Sequence, residues 1–226
     1  MIDFEAALQL YRDHHYPEAA AAFSALAAAE ADPGRAAVLH ADAGTAAARS
    51  EQWGEALWQL NRARLLAPRD AVAAENLERV SVMAKHGQSE AEHFTQTVRE
   101  LPLHLTLAED QAACGAAAGL AFALLAARRV TLLSRVSGWL AAGLLVAAGA
   151  WWLASASAWH AATARAVIIP PTAVGRAEPD ANSQELFRLS QGSLVSTDEE
   201  RHGWRLVEAE GGARGWIADA EARPLR

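Results

Sequence analysis

Eight histidines, one cysteine and 27 carboxylates are the groups with which this 226-residue chain could do chemistry. Hydrolysis, group transfer or metal-assisted reaction would need a nucleophile beside a base, two carboxylates across a cleft, a ligand cluster or a phosphate-cradling loop. His14 and His15 are adjacent, and adjacent helix residues point to different faces. No acid or cysteine is spaced to join them, so they read as surface histidines. His86 and His93 have heptad spacing, but Gly87-Gln88-Ser89 interrupts the helix that would bring them together. Asp198-Glu199-Glu200 lacks the Asx and Gly positions of a calcium loop and reads as a solvated acidic turn. Cys114 has no second cysteine to pair with. No phosphate loop and no nucleophile elbow occurs. No catalytic, cofactor or metal site is expected, and the chain reads as one that binds or scaffolds.

The elements that would position a binding surface divide around two uncharged stretches. Ala112 to Ala127 and Val136 to Trp159 carry no charge, and between them stand Arg128, Arg129 and Arg135. A spanning helix needs roughly 20 apolar residues to cross about 30 Å of hydrocarbon. The second stretch meets this, and the first does so once the Arg128 and Arg129 stems snorkel. The expectation is a transmembrane hairpin, with helices at 110–129 and 136–159 and a basic loop at 130–135. The competing reading is a soluble helical hairpin in a core. Trp139 near one end of the second stretch, and Trp151, Trp152 and Trp159 toward the other, suit interfacial aromatic belts. Gly115 with Gly119, and Gly143 with Ala147, are small-x-x-x-small pairs that let helix backbones approach in lipid.

Net charge is -7, which makes nucleic acid an unsuitable partner because no basic face appears. Residues 1–110 hold 17 acids and 9 bases, and residues 165–226 hold 10 acids and 8 bases. The loop between the spans is purely basic, so it is expected in the cytoplasm of a bacterial inner-membrane protein, with both soluble regions in the periplasm. Against this, Met1 to Tyr16 shows no basic n-region and apolar core of a signal peptide. The inverted topology therefore stands as the alternative.

Residues 1–86 are Ala-rich with helical periodicity, and helices are expected at about Phe4–His14, Pro17–Ala31, Pro33–Ser50, Trp53–Leu66 and Ala71–Lys85. Pro17 and Pro33 suit first-turn positions, and Asp70 suits an N-cap. Tyr16, Ala19 and Phe23 share their spacing with Trp53, Ala56 and Leu60, 37 residues later. Gly44, Trp53, Ala56, Leu60, Ala63 and Pro68 resemble the tetratricopeptide repeat. Two repeats with a capping helix are fewer than a self-sufficient solenoid needs. The aromatic and leucine positions read first as core. The sharper reading is a peptide groove lined by Leu10, His14, His40 and Ala47. Residues 87–109 read as a tether.

After residue 165 the pattern becomes one of short β-prone runs separated by turns. Strands are expected at Arg165–Ile169, Glu185–Leu189, Ser193–Thr197, Trp204–Glu208 and Arg214–Ala218, with turns at Asn182-Ser183, Gln191-Gly192, His202-Gly203 and Gly211-Gly212. Ala173-Val174-Gly175-Arg176, Glu178-Pro179, Leu189 with Gly192, Gly203-Trp204 with Val207, and Gly215-Trp216-Ile217 resemble a bacterial SH3-like domain at 165–226. Trp204 and Trp216 either pack the barrel or form an aromatic shelf for an extended peptide.

The fold class expected is thus a multidomain membrane protein: all-α tetratricopeptide-like hairpins, a two-helix transmembrane hairpin and an all-β SH3-like barrel. This combination resembles the BatE family of aerotolerance-operon membrane proteins. The likeness is sharpest at Gln52-Trp53-Gly54-Glu55-Ala56, at Leu65 to Asp70 leading into Asn76-Leu77, and at the Gly-Trp pairs. Ala41-Asp42-Ala43-Gly44 departs from the family's usual Asn-Leu-Gly element. The resemblance implies a non-enzymatic envelope scaffold working with von Willebrand A domain membrane proteins and a MoxR-type AAA+ ATPase. The rival reading is a peptidoglycan-binding envelope anchor.

Overall fold

The computed structural model describes residues 3–84, 105–127, 134–209 and 211–225. The chain forms two compact units, one made of Met1–Glu92 with Ala161–Arg226 and the other of His93–His160. The β-prone end of the chain thus belongs to the same unit as the helical beginning.

Five helices open the first unit: α1 Phe4–Arg12, α2 Tyr16–Ala29, α3 Pro33–Arg49, α4 Trp53–Leu66 and α5 Ala71–Ala84. The starts of α1, α3 and α5 are fixed by side-chain acceptors for the orphan N–H groups of a first turn, whereas α2 and α4 begin without one. Asp3 accepts from the Ala6 N–H at 2.8 Å, Asp32 from Arg35 at 2.8 Å and Asp70 from Val72 at 2.9 Å. The 37-residue spacing is written into the backbone as well as the side chains. His14 and Glu51 each adopt a left-handed φ, 63° and 60°, and the N-cap residues that follow share one conformation, His15 at -81°, 62° and Gln52 at -81°, 65°. The α1–α2 and α3–α4 turns are therefore copies of one helical hairpin. Alanine makes the close packing possible: Ala19, Ala43, Ala46 and Ala56 are fully buried. At Gly44 a Cβ would lie 2.7 Å from Leu60 Cγ, so α3 and α4 meet there with no room for a side chain.

Seven strands close the unit: β1 Arg165–Ile168, β2 Thr172–Arg176, β3 Glu185–Ser190, β4 Leu194–Arg201, β5 Trp204–Ala209, β6 Arg214–Ala218 and β7 Ala222–Pro224. They form one antiparallel sheet in the order β3-β2-β6-β5-β4-β1-β7. Two strands exceed expectation. β2 follows directly on the Pro170-Pro171 break, and β7 is three residues long and contains Pro224, which is tolerated because β7 is the sheet's edge. The acidic run Asp198-Glu199-Glu200 is also corrected: it lies inside β4, beside a register shift between Thr197 and Glu199. The turn belongs to His202 and Gly203, whose φ values of 50° and 81° suit a tight hairpin between twisted strands. The sheet's own core is Ala166, Ile168, Ala173, Val195, Val207 and Ile217.

The second unit holds helix α6, Leu107–Ala127, and most of helix α7, Ser134–Thr163. Thr106 and Glu109 cap α6 reciprocally: Thr106 N–H donates to Glu109 Oε2 at 2.9 Å and Glu109 N–H to Thr106 Oγ1 at 3.2 Å. Asp110 is buried and accepts from Trp151 Nε1–H at 2.7 Å, a bond that ties α6 to α7. Trp139, Leu140, Val146, Trp152 and Leu153 are exposed, an apolar surface that water does not favour. Within α7, Trp139–Thr163 is 25 residues long and apolar enough to cross a membrane. Among the described residues it is the one segment that is, and it falls on the expected second span; the expected first span, 110–129, runs beyond the described residues.

Candidate functional site

Glu55, Trp58 and Arg62 recur at i, i+3 and i+7 along α4, which places them on one face. That face meets β7. Trp58 Nε1–H donates to the Pro224 carbonyl at 2.9 Å, Arg62 Nη1 donates to the Leu225 carbonyl at 2.7 Å, and Arg223 Nη1 donates to Glu55 Oε2 at 2.6 Å. The Arg223 guanidinium lies 4.8 Å from the centroid of the Trp58 ring, within cation–π range. Two glycines permit the approach. A Cβ at Gly54 would lie 2.7 Å from the carbonyl oxygens of Ile168 and Ile169. Gly192, at φ 79°, would place a Cβ 2.5 Å from Leu57 Cδ1. Val167 and Leu225 are buried within the helical core cluster, and Leu194 packs against it. The helical region and the sheet therefore share apolar interior.

Beneath this face runs a buried polar chain. Gln59 has no exposed surface and spends its amide N–H groups on Ser24 Oγ at 2.8 Å and Glu55 Oε1 at 2.9 Å. Its Oε1 is then left to accept from His40 at 2.6 Å, which places a proton on Nδ1. Burial holds the His40 imidazole below its ordinary pKa, with the Gln59 bond and Glu55 opposing and Arg62 assisting. Burial raises the Asp42 carboxyl and lowers the Arg62 guanidinium.

The residues expected to line a groove are separated by this packing. Ala47 is fully buried, His40 is nearly so, and Leu10 packs against the core. His14 is exposed and pairs through Nδ1 with the Tyr16 hydroxyl at 2.7 Å. The four do not meet on one open surface. On the sheet, Trp216 is buried and the Arg201 guanidinium lies 5.6 Å from its ring centroid, while Trp204 is half-buried opposite Arg201. The acidic run is answered by arginines: Asp198 pairs with Arg214 at 2.5 Å, Glu199 with Arg201 at 2.8 Å and Glu200 with Arg205 at 3.4 Å. Arg205, 5 % exposed, also forks onto Asp219. Among the described residues no group of three or more His, Cys, Asp or Glu is placed to hold a metal.

Arg128 and Arg129 lie outside the described residues, and Arg135 falls in the first turn of α7. A Cβ added at Gly115, Gly119 or Gly143 would meet nothing within 4 Å, and Ala147 is exposed. Among the described residues of this unit, the small residues with no exposed surface are Ala121 and Ala141, which the Gly-centred pattern does not mark. Trp58 is one of the aromatic positions that read first as core, and from sequence alone Glu55 and Arg62 have no expected binding role. Their i, i+3, i+7 spacing was the available signal.

Residues 170–224 match the family described as Bacterial SH3 domain. The match begins after β1, so the strand that packs against α4 precedes it. No curated protein and no solved structure matches the chain.

Proposed function

We propose that this protein is a non-enzymatic, membrane-anchored scaffold of the bacterial envelope, which presents a tetratricopeptide-like helical region and a bacterial SH3 domain to protein partners as one body. The observation that carries this is the shared interior of the two regions, with Leu225 and Val167 set into the helical core. A partner touching both regions meets a fixed surface, and fixed surfaces lower the ordering cost of association. The apolar segment Trp139–Thr163, which leads directly into β1, supports anchoring in lipid. On the BatE-like reading, a second span precedes it, the basic loop is cytoplasmic, both soluble regions are periplasmic, and the partners are von Willebrand A domain membrane proteins with a MoxR-type AAA+ ATPase. Crosslinking in native membranes tests this: von Willebrand A partners should be recovered through residues 1–84, and a catch of wall fragments alone would overturn it. A reporter fused after Arg226 should read out on the periplasmic side.

The second reading is that the SH3 domain anchors the protein to peptidoglycan peptide stems, and half-buried Trp204 beside the Arg201–Trp216 stack favours it. The full chain in detergent should then sediment with purified sacculi, and Trp204→Ala should reduce the bound fraction. Equal sedimentation with and without sacculi would end this reading.

A further inference from the structure

The three α4 side chains grip one short extended stretch of the chain's own backbone. Trp58 and Arg62 donate to the consecutive carbonyls of Pro224 and Leu225, at 2.9 and 2.7 Å. Pro224 ends β7 and Leu225 follows it, and donors on main-chain carbonyls hold a peptide whatever its side chains. Specificity comes from either side of them. Glu55 and the Trp58 ring together hold the Arg223 cation, and Leu225, 3 % exposed, fills an apolar socket in the helical core. The opposite wall is β1, which pairs Ala166 with Pro224 and Val167 with Arg223. Proline at the centre suits the site, since β7 is an edge strand whose outward N–H groups are not needed by the sheet. Removing β7 breaks one ladder at the edge, and β3, β2, β6, β5, β4 and β1 remain paired with one another.

We infer that the slot between α4 and β1 is a binding site for an extended segment of basic–Pro–apolar sequence on a partner protein, and that the chain fills this slot with its own Arg223-Pro224-Leu225. The covalently attached segment acts at an effective concentration on the order of millimolar. A partner therefore gains entry only by displacing β7, which makes the docking of the SH3 domain a self-occupied ligand site. This goes beyond the scaffold reading by naming a ligand class, and its readout needs no von Willebrand A partner.

The experiment uses the full chain in detergent and a fluorescein-labelled peptide, Glu-Ala-Arg-Pro-Leu-Arg, followed by anisotropy. Arg223→Glu sets two carboxylates against each other and weakens the self-contact, so this variant should bind the peptide at least tenfold more tightly than the unaltered chain. Combining it with Glu55→Arg restores an opposite-charge pair in the reversed sense, and peptide binding should fall back. A peptide carrying Glu in place of Arg should bind Arg223→Glu at least tenfold more weakly. If Arg223→Glu does not fold by circular dichroism, Arg62→Met carries the test. It keeps the aliphatic stem and removes one carbonyl donor, so hydrogen exchange at 222–225 should accelerate on adding the peptide. Two results overturn the proposal: folded Arg223→Glu binding no better than the unaltered chain, or concentration-dependent dimerisation that the peptide does not inhibit, which would mean exchange of β7 between copies.

Discussion

His40 is where a single titrating group bears on stability. Burial holds its folded pKa below the ordinary value of about 6.5. The unfolded chain then takes up a proton at a pH where the folded chain does not, so stability falls as pH drops from about 6.5 toward the folded value. Asp42 has the opposite sign. Its carboxyl is raised by burial, so it costs stability at neutral pH and the cost is relieved on acidification toward about 3.8. His40→Gln, which can still donate to Gln59, should flatten the loss of Tm between pH 7 and 5. Asp42→Asn should raise Tm at pH 7, by an amount that shrinks as the pH falls toward about 3.8. Both are read by thermal melts across pH. At the interface, Trp58→Phe keeps the ring against Arg223 and leaves the Pro224 carbonyl without its donor. It should cost about 1–2 kcal/mol in denaturant unfolding.

The elements were legible where local rules are strong. The five helix positions in residues 1–84 follow from proline placement, Asp caps and the 3.6-residue pattern, and the structure ends each within about two residues of expectation. Strands β2 and β7 were not legible. β2 sits behind two prolines, and β7 is too short to show alternation and exists because β1 and α4 offer it partners. The interface was invisible for the same reason: Glu55 and Arg223 are 168 positions apart, and no local pattern joins them. The groove residues were misjudged at His40 and Ala47 because an Ala-rich helix looks alike on several faces, and only packing decides which face is inside. Gly54 is the element-scale probe. A methyl there meets two backbone carbonyl oxygens that cannot move aside as a side chain would, so Gly54→Ala should destabilise by about 1–3 kcal/mol. A urea titration of the full chain checks this. The same change at Gly203, where a Cβ meets nothing but φ is 81°, should instead reflect backbone strain confined to the β4–β5 hairpin.

At the scale of the molecule, the two ends of the chain form one unit and most of the apolar helical stretch between them forms another. Shared core makes a physical demand: α4 and the sheet should lose their structure together, because Leu225, Val167 and Leu57 cannot be exposed in one region and buried in the other. Charge on the sheet adds little to this, since the exposed Asp198–Arg214 and Glu199–Arg201 pairs are of a kind worth a fraction of a kcal/mol. The central claim is therefore best tested by native-state hydrogen exchange of the full chain in detergent with rising denaturant. The amides of α4 and those of β1, β4 and β5 should merge onto one global opening, and Trp58→Phe should lower the opening free energy of both sets equally. Sheet amides that open independently of α4, and that Trp58→Phe leaves unchanged, would contradict it.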